Sequence, residues 1–145
     1  MRWRATTLAT LALLAVASAA APHAPTGTLD GTWSVVSAER DGRPVEDLKT
    51  HRLTFHAREF VIRRDRETVY QGTFATDRGK KPAWIDFLNT AGQAKGQSWR
   101  GIYLLEGDSL KIVDNAPDVS KPRPTAFATS PGSGLVMLVF KRVEP

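Results

Sequence analysis

From residue 28 onward the chain alternates short β-rich runs with turn residues and never settles into a helical period, and this rhythm leaves few folds open. Eight runs read as strands: Thr32–Arg40, His51–His56, Glu59–Arg64, Thr68–Ala75, Ala83–Leu88, Ser98–Glu106, Ser109–Asp114 and Gly134–Arg142. Asp41-Gly42-Arg43-Pro44 ends the first, and the polar connector 45–50 has room for one helical turn. Ala57-Arg58 and Gly107-Asp108 are two-residue hairpin links, and in the second the glycine accepts the positive φ of a primed turn. A proline-bearing crossover leads to the last strand. The expected fold is all-β: a single antiparallel up-and-down barrel of about eight strands.

Alternation within the runs marks an inside. Leu53, Phe55, Phe60 and Ile62 share one parity against Arg52, Thr54 and Arg63. Tyr70, Gly72 and Phe74 share another, as do Ala83, Ile85 and Phe87, while Leu110 and Ile112 oppose Lys111. An eight-strand barrel is just wide enough to be filled by side chains or to hold one small ligand. If it is hollow, Phe55, Ile62, Tyr70, Phe74, Ile85, Trp99 and Tyr103 are where an apolar ligand is expected to touch.

The first residues read as an address. Arg2 and Arg4 precede an uncharged apolar core, Leu8 to Ala17, too short to span a bilayer comfortably, and Ala17-Ser18-Ala19 supplies a small-x-small cleavage site. Residues 1–19 are therefore expected to be a signal peptide, 20–27 a linker with two prolines, and 28–145 the domain. That organisation implies export to the periplasm or the medium with no integral membrane segment after cleavage. The formal charge of +5 includes Arg2 and Arg4, leaving +3 for the mature chain. Its basic residues cluster in turns such as Arg63-Arg64-Asp65-Arg66 and Arg78-Gly79-Lys80-Lys81, without a basic helix or basic-aromatic groove, so no nucleic-acid partner is expected. The chain has no cysteine, which excludes a disulfide framework and leaves the domain to stand on its core.

Catalytic and metal-binding patterns fail on context. Gly107-Asp108-Ser109-Leu110 spells the nucleophile block of a lipase and esterase family, but His23, His51 and His56 all lie upstream and the serine sits in a hairpin. His51 and His56 fall on opposite faces of one extended segment, and no cluster has ligand spacing, so neither a metal, a cofactor nor an enzymatic centre is expected. Asp86 lies in an apolar strand and needs exposure or a partner on a neighbouring strand, Arg100 being one candidate. Arg123 is suited to fixing the crossover through loop carbonyls, or else to reaching an anionic group over the barrel mouth.

Leu29-Asp30-Gly31-Thr32-Trp33-Ser34-Val35-Val36, Asp41-Gly42-Arg43-Pro44, Leu53-Thr54-Phe55, Gly72-Thr73-Phe74, Lys81-Pro82-Ala83-Trp84-Ile85-Asp86, Gly101-Ile102-Tyr103, Gly107-Asp108-Ser109-Leu110-Lys111-Ile112 and Arg123-Pro124-Thr125-Ala126-Phe127 follow one another in order. Together they resemble the calycin-type, lipocalin-like domain family expanded in planctomycete bacteria. Leu104 stands where that family usually has an acid, and Val113 where it often has a cysteine. The resemblance implies an exported β-barrel and carries no catalytic residues. In lipocalin-like barrels the Gly31-x-Trp33 tryptophan plugs one end and a basic residue near the C-terminus stacks over it; Lys141 and Arg142 stand at that place. Two functional expectations follow. The first is a binder that takes a small apolar or amphipathic molecule into the barrel. The second is a filled barrel acting as a structural or protein-interaction domain through a face bearing Trp84, Leu88, Ile102 and Leu104.

Overall fold

In the computed structural model, which describes residues 27–116 and 118–144, nine strands form one sheet that curls until its edges meet. The expected signal peptide and all but the last residue of the linker lie outside the described residues. The strands are β1 (Gly31–Arg40), β2 (Arg43–Pro44), β3 (His51–His56), β4 (Glu59–Arg64), β5 (Glu67–Asp77), β6 (Ala83–Ala91), β7 (Ser98–Glu106), β8 (Ser109–Asp114) and β9 (Val136–Arg142). From β3 to β9 each pairs antiparallel with the next, and β1 pairs with both β3 and β9, which closes an eight-strand up-and-down barrel. Closure removes the free edges that an open sheet would expose.

The ninth strand was not expected. Arg43 and Pro44, read as turn punctuation, fold back on β1 in a two-residue ladder, Glu39 opposite Pro44 and Arg40 opposite Arg43. The connector after it is a 3-10 turn, Glu46–Thr50, that brings Leu48 against the barrel core. Four strand spans, β3, β4, β7 and β8, coincide with the sequence reading, because tight hairpin links fix both ends of each pair. β5 and β6 run longer than expected, since their polar ends Asp77 and Asn89 still pair in register.

Inward residues fill the barrel unevenly. Toward the end where the chain enters, Trp33, Phe55, Phe60, Leu105, Leu110 and Phe140 are almost wholly buried. Phe55 packs on Phe74 with ring centroids 4.5 Å apart, and Phe60 meets Phe87 edge-on at 5.0 Å, arrangements aromatic pairs favour. The Trp33 indole donates from Nε1 to the Leu29 carbonyl at 2.9 Å, and the Arg142 guanidinium stacks on its face at 4.2 Å. Arg142 also donates to the carbonyls of Asp30 and Thr28 and pairs with Asp108 at 3.2 Å, which laces the N-terminal segment and the β7–β8 hairpin across this end. Gly31 has φ +123, and a Cβ there would sit 3.0 Å from an Arg142 nitrogen, so this position requires glycine. Lys141, the other basic residue at this place, is exposed.

The crossover, residues 118–135, lies against the outside of β6, β7 and β8 through Arg123 and Phe127. Ile102 and Val113 face outward by parity and are cross-strand partners, yet neither has any exposed surface. Arg123 pins the crossover down: it donates to the Gly101 carbonyl at 2.8 Å, lies 4.0 Å over the Trp84 ring and pairs with Asp86 at 2.7 Å. Lys80 approaches the same indole at 4.7 Å. Asp86 and Arg100 are opposite one another in the ladder, but the carboxylate's ion pair is with Arg123, not Arg100, because the crossover delivers that guanidinium over the indole beside Asp86. Asn115, almost wholly buried, accepts from the Arg100 amide and donates to the Lys121 carbonyl.

Candidate functional site

At the end away from Trp33 the barrel is hollow. A cavity of about 220 Å³ is bounded by Val35, Leu53, Ile62, Tyr70, Phe87, Trp99, Ile112, Leu138 and Phe140, with Leu48 and Ala116 beside its mouth. Its volume exceeds that of the roughly 150 Å³ apolar cavity known to take up benzene. Tyr70 and Trp99 meet edge-on at 5.0 Å and form one wall.

Four polar side chains line the same cavity: Arg40 from the end of β1, His51 and Arg52 from the start of β3, and Asp114 from the end of β8. Arg52 is outward by parity and exposed, at the rim, whereas the inward positions of the other three follow from their strands. His51 continues the inward parity of Leu53 and Phe55, and Asp114 that of Leu110 and Ile112. Arg40 reaches the interior because β1 carries a bulge between Val35 and Ser37: Trp33 and Val35 point in before it, Ala38 and Arg40 after it. Arg40 lies opposite Val136 on β9, and Val136 opposite Asp114 on β8, so the two charged residues occupy one row with a strand between them.

These groups are poorly satisfied. Arg40 Nε, His51 Nδ1 and Trp99 Nε1 are buried without hydrogen-bond partners, and all three residues line this one cavity. More than nine in ten buried polar groups find a partner, so three such atoms around one space are unusual. Asp114 is 5% exposed, and Oδ1 accepts from the Ala116 amide at 2.9 Å. Burial pushes its carboxyl up to about 7, against the Ala116 hydrogen bond and the field of Arg40, which pull the other way. Gly101, opposite Asp114 on β7, leaves the space this needs; a Cβ there would lie 2.5 Å from the Val113 carbonyl oxygen and 2.9 Å from the Asp114 Cβ.

Of the seven interior residues named from sequence, Ile62, Tyr70 and Trp99 line the cavity. Phe55, Phe74, Ile85 and Tyr103 do not: they face inward but belong to the packed core. Burial raises the Tyr103 phenol above its ordinary value. Arg40, His51, Arg52 and Asp114 were not named as lining residues. Period-two parity places His51 and Asp114 on the inner face, each at the end of its strand. His56, at the other end of β3, is exposed and remote in parity from His51. Among the described residues no group of three His, Cys, Asp or Glu side chains has the arrangement to hold a metal ion. No helix among them is long and apolar enough to cross a membrane.

The outer face once read as a contact surface is differently built. Ile102 lies beneath the crossover, Trp84 is held between Arg123 and Lys80, Leu104 is half-buried and Leu88 is 43% exposed. Compared with family models, with curated proteins and with solved structures, the chain gives no match, and its functional reading rests on the geometry of the barrel.

Proposed function

We propose that this protein is a binding module, acting after export, that takes one small amphipathic molecule into the open half of its barrel. The apolar part lies against Ile62, Tyr70, Phe87 and Trp99, and the polar end faces the mouth at Arg40 and His51. One observation carries this reading: a single cavity of about 220 Å³ combines apolar walls with three buried polar atoms that have no partner in the chain. The ordered resemblance to lipocalin-like domains supports it, as does the Arg2, Arg4 and Ala17-Ser18-Ala19 pattern for export.

The energetics suit a modest binder. Burying an apolar body the size of a large side chain, roughly 150–250 Å², is worth about 4–6 kcal/mol. After the loss of translational and rotational freedom, and with a polar head held, this corresponds to dissociation constants from roughly micromolar to millimolar. Enzymatic chemistry forms no part of the reading, since Ser109 is a hairpin residue paired with Lys141 and has no histidine downstream.

Native mass spectrometry of the protein purified from the cells that make it tests this. The expected spectrum shows a population carrying an extra small-molecule mass that is lost on collisional activation. A bare chain mass, together with no uptake of octan-1-ol or octanoate added to the protein, would overturn the proposal.

A further inference from the structure

The polar end of the cavity has a charge arrangement that a simple apolar pocket would not need. Arg40 brings a guanidinium cation, with donors and no acceptor, to this end. Among the described residues, no hydrogen bond or ion pair engages its side chain. The nearest candidate counter-ion, Asp114, does not close on it. The two stand on one row with β9 between them, and neighbouring strands are about 4.8 Å apart, so their backbones are separated by about 10 Å. Arg40 acts on Asp114 only through space, while the Asp114 carboxyl is bonded to the Ala116 amide.

We infer that this end of the cavity selects a compact carboxylate-headed amphiphile, held by the Arg40 guanidinium, and that Asp114 takes up a proton as the ligand binds. The inference rests on the binding reading above and names the chemistry of its ligand. A planar guanidinium fork matches the two oxygens of a carboxylate. Trp99 Nε1 is a donor only, which also favours an acceptor on the ligand. A cationic head would face an uncompensated Arg40. A phosphate, with a charge near −2 and three acceptor oxygens, would crowd two negative charges rather than one beside Asp114.

The proton follows from crowding. A carboxylate bound between Arg40 and Asp114 places two carboxyl groups side by side, and two such groups share one proton rather than both ionise. Asp114 is already held up to about 7 by burial, so protonation there costs little near neutrality. The other charged or titratable side chains lining the cavity are His51 and Arg52 from β3 and Tyr70 from β5; β7 and β9 present Trp99 and Val136, which do not titrate. Scaling from the benzene-sized cavity, the space holds about ten non-hydrogen atoms, the size of octanoate.

Titration calorimetry of the purified protein with octanoate, octan-1-ol and octylamine, at pH 6.0, 7.0 and 8.5 and in buffers of different ionisation enthalpy, tests this. Octanoate is expected to bind about tenfold more tightly than octan-1-ol at pH 6.0, the worth of one good charge-assisted contact. Above pH 7 its affinity should fall by up to about tenfold per pH unit, with close to one proton taken up per ligand at pH 8.5. Arg40→Gln should bring acid and alcohol within about threefold of each other while octan-1-ol still binds, which also reports that the variant is folded. Asp114→Asn should abolish the proton uptake, and His51→Gln should retain it. Equal binding of acid and alcohol by the unaltered protein, a preference for octylamine, or octanoate binding without proton uptake would overturn the inference and leave the barrel a binder. Failure of all three ligands to bind would instead overturn the binding reading itself.

Discussion

Replacing Trp33 by alanine is expected to remove about 4–5 kcal/mol of stability, the largest effect of any single side-chain truncation in the barrel. Trp33 has no exposed surface, and deleting a buried tryptophan forfeits its transfer free energy and leaves a cavity, together about 3–5 kcal/mol. The change also orphans the Leu29 carbonyl, which accepts the indole N–H at 2.9 Å, and strips Arg142 of the ring it stacks upon. Arg142 in turn holds the Thr28 and Asp30 carbonyls, so loosening it frees the chain entry as well. Trp84→Ala is the matched control. That indole is stacked by Arg123 and Lys80 outside the barrel, and its removal should cost no more than about 2 kcal/mol. Urea unfolding of the two variants beside the parent measures both. Equal losses, or a Trp33→Ala loss below about 1 kcal/mol, would mean that the Trp33 end does not carry the fold.

The second large effect depends on pH and has the opposite sign. Asp114 has a folded value of about 7 against about 3.9 for an unfolded aspartate, so its ionised form is disfavoured in the native state. Such a raised acid costs nothing below about pH 4, where both states are protonated. The cost grows between about pH 4 and 7 as only the unfolded chain releases the proton, and is complete above about pH 7. Three units correspond to about 4 kcal/mol as an upper figure. Asp114→Asn keeps an acceptor for the Ala116 amide and removes the ionisation. The ligand-free variant should therefore be more stable than the parent by about 3 kcal/mol at pH 8.5 and within about 0.5 kcal/mol of it at pH 4. Denaturation midpoints across that range check it. A parent whose stability does not fall between pH 4 and 8 relative to the variant would show that Asp114 ionises freely in the fold.

Much of the barrel was legible because antiparallel sheets write their inside in period two. Leu53, Phe55, Phe60 and Ile62 point inward as their parity requires, and the tight Ala57-Arg58 and Gly107-Asp108 links fix register with almost no freedom. The plug was legible through resemblance, and Gly31, Trp33 and Arg142 meet one another as that resemblance implies.

The polar end of the cavity was less legible, for reasons that differ by residue. Period two tells which face a side chain takes, but not its height along the barrel axis. Phe55, Phe74, Ile85 and Tyr103 therefore share a face with Tyr70 and Ile62, while register places them in the packed portion. His51 and Asp114 had the right parity but stood at strand ends, where polar residues ordinarily end a run. Arg40 had the wrong apparent parity, because a bulge at Val35 to Ser37 shifts the phase of β1 and nothing in Val35-Val36-Ser37 announces it. Arg123 finds Asp86 and Trp84 through a crossover whose path over the sheet no local pattern specifies.

The central claim is that a ligand enters the half of the barrel walled by Tyr70 and Trp99 while the Trp33 end stays packed. The described residues contain three tryptophans, Trp33, Trp84 and Trp99, one at the plug, one on the outer face and one in the cavity wall. Their indole N–H resonances in a proton–nitrogen correlation spectrum report on the three places separately. During titration with octanoate at pH 6.0, the Trp99 resonance should shift saturably and those of Trp33 and Trp84 should stay in place. No saturable shift of Trp99, or equal movement of all three, would contradict a ligand site in the open half of the barrel.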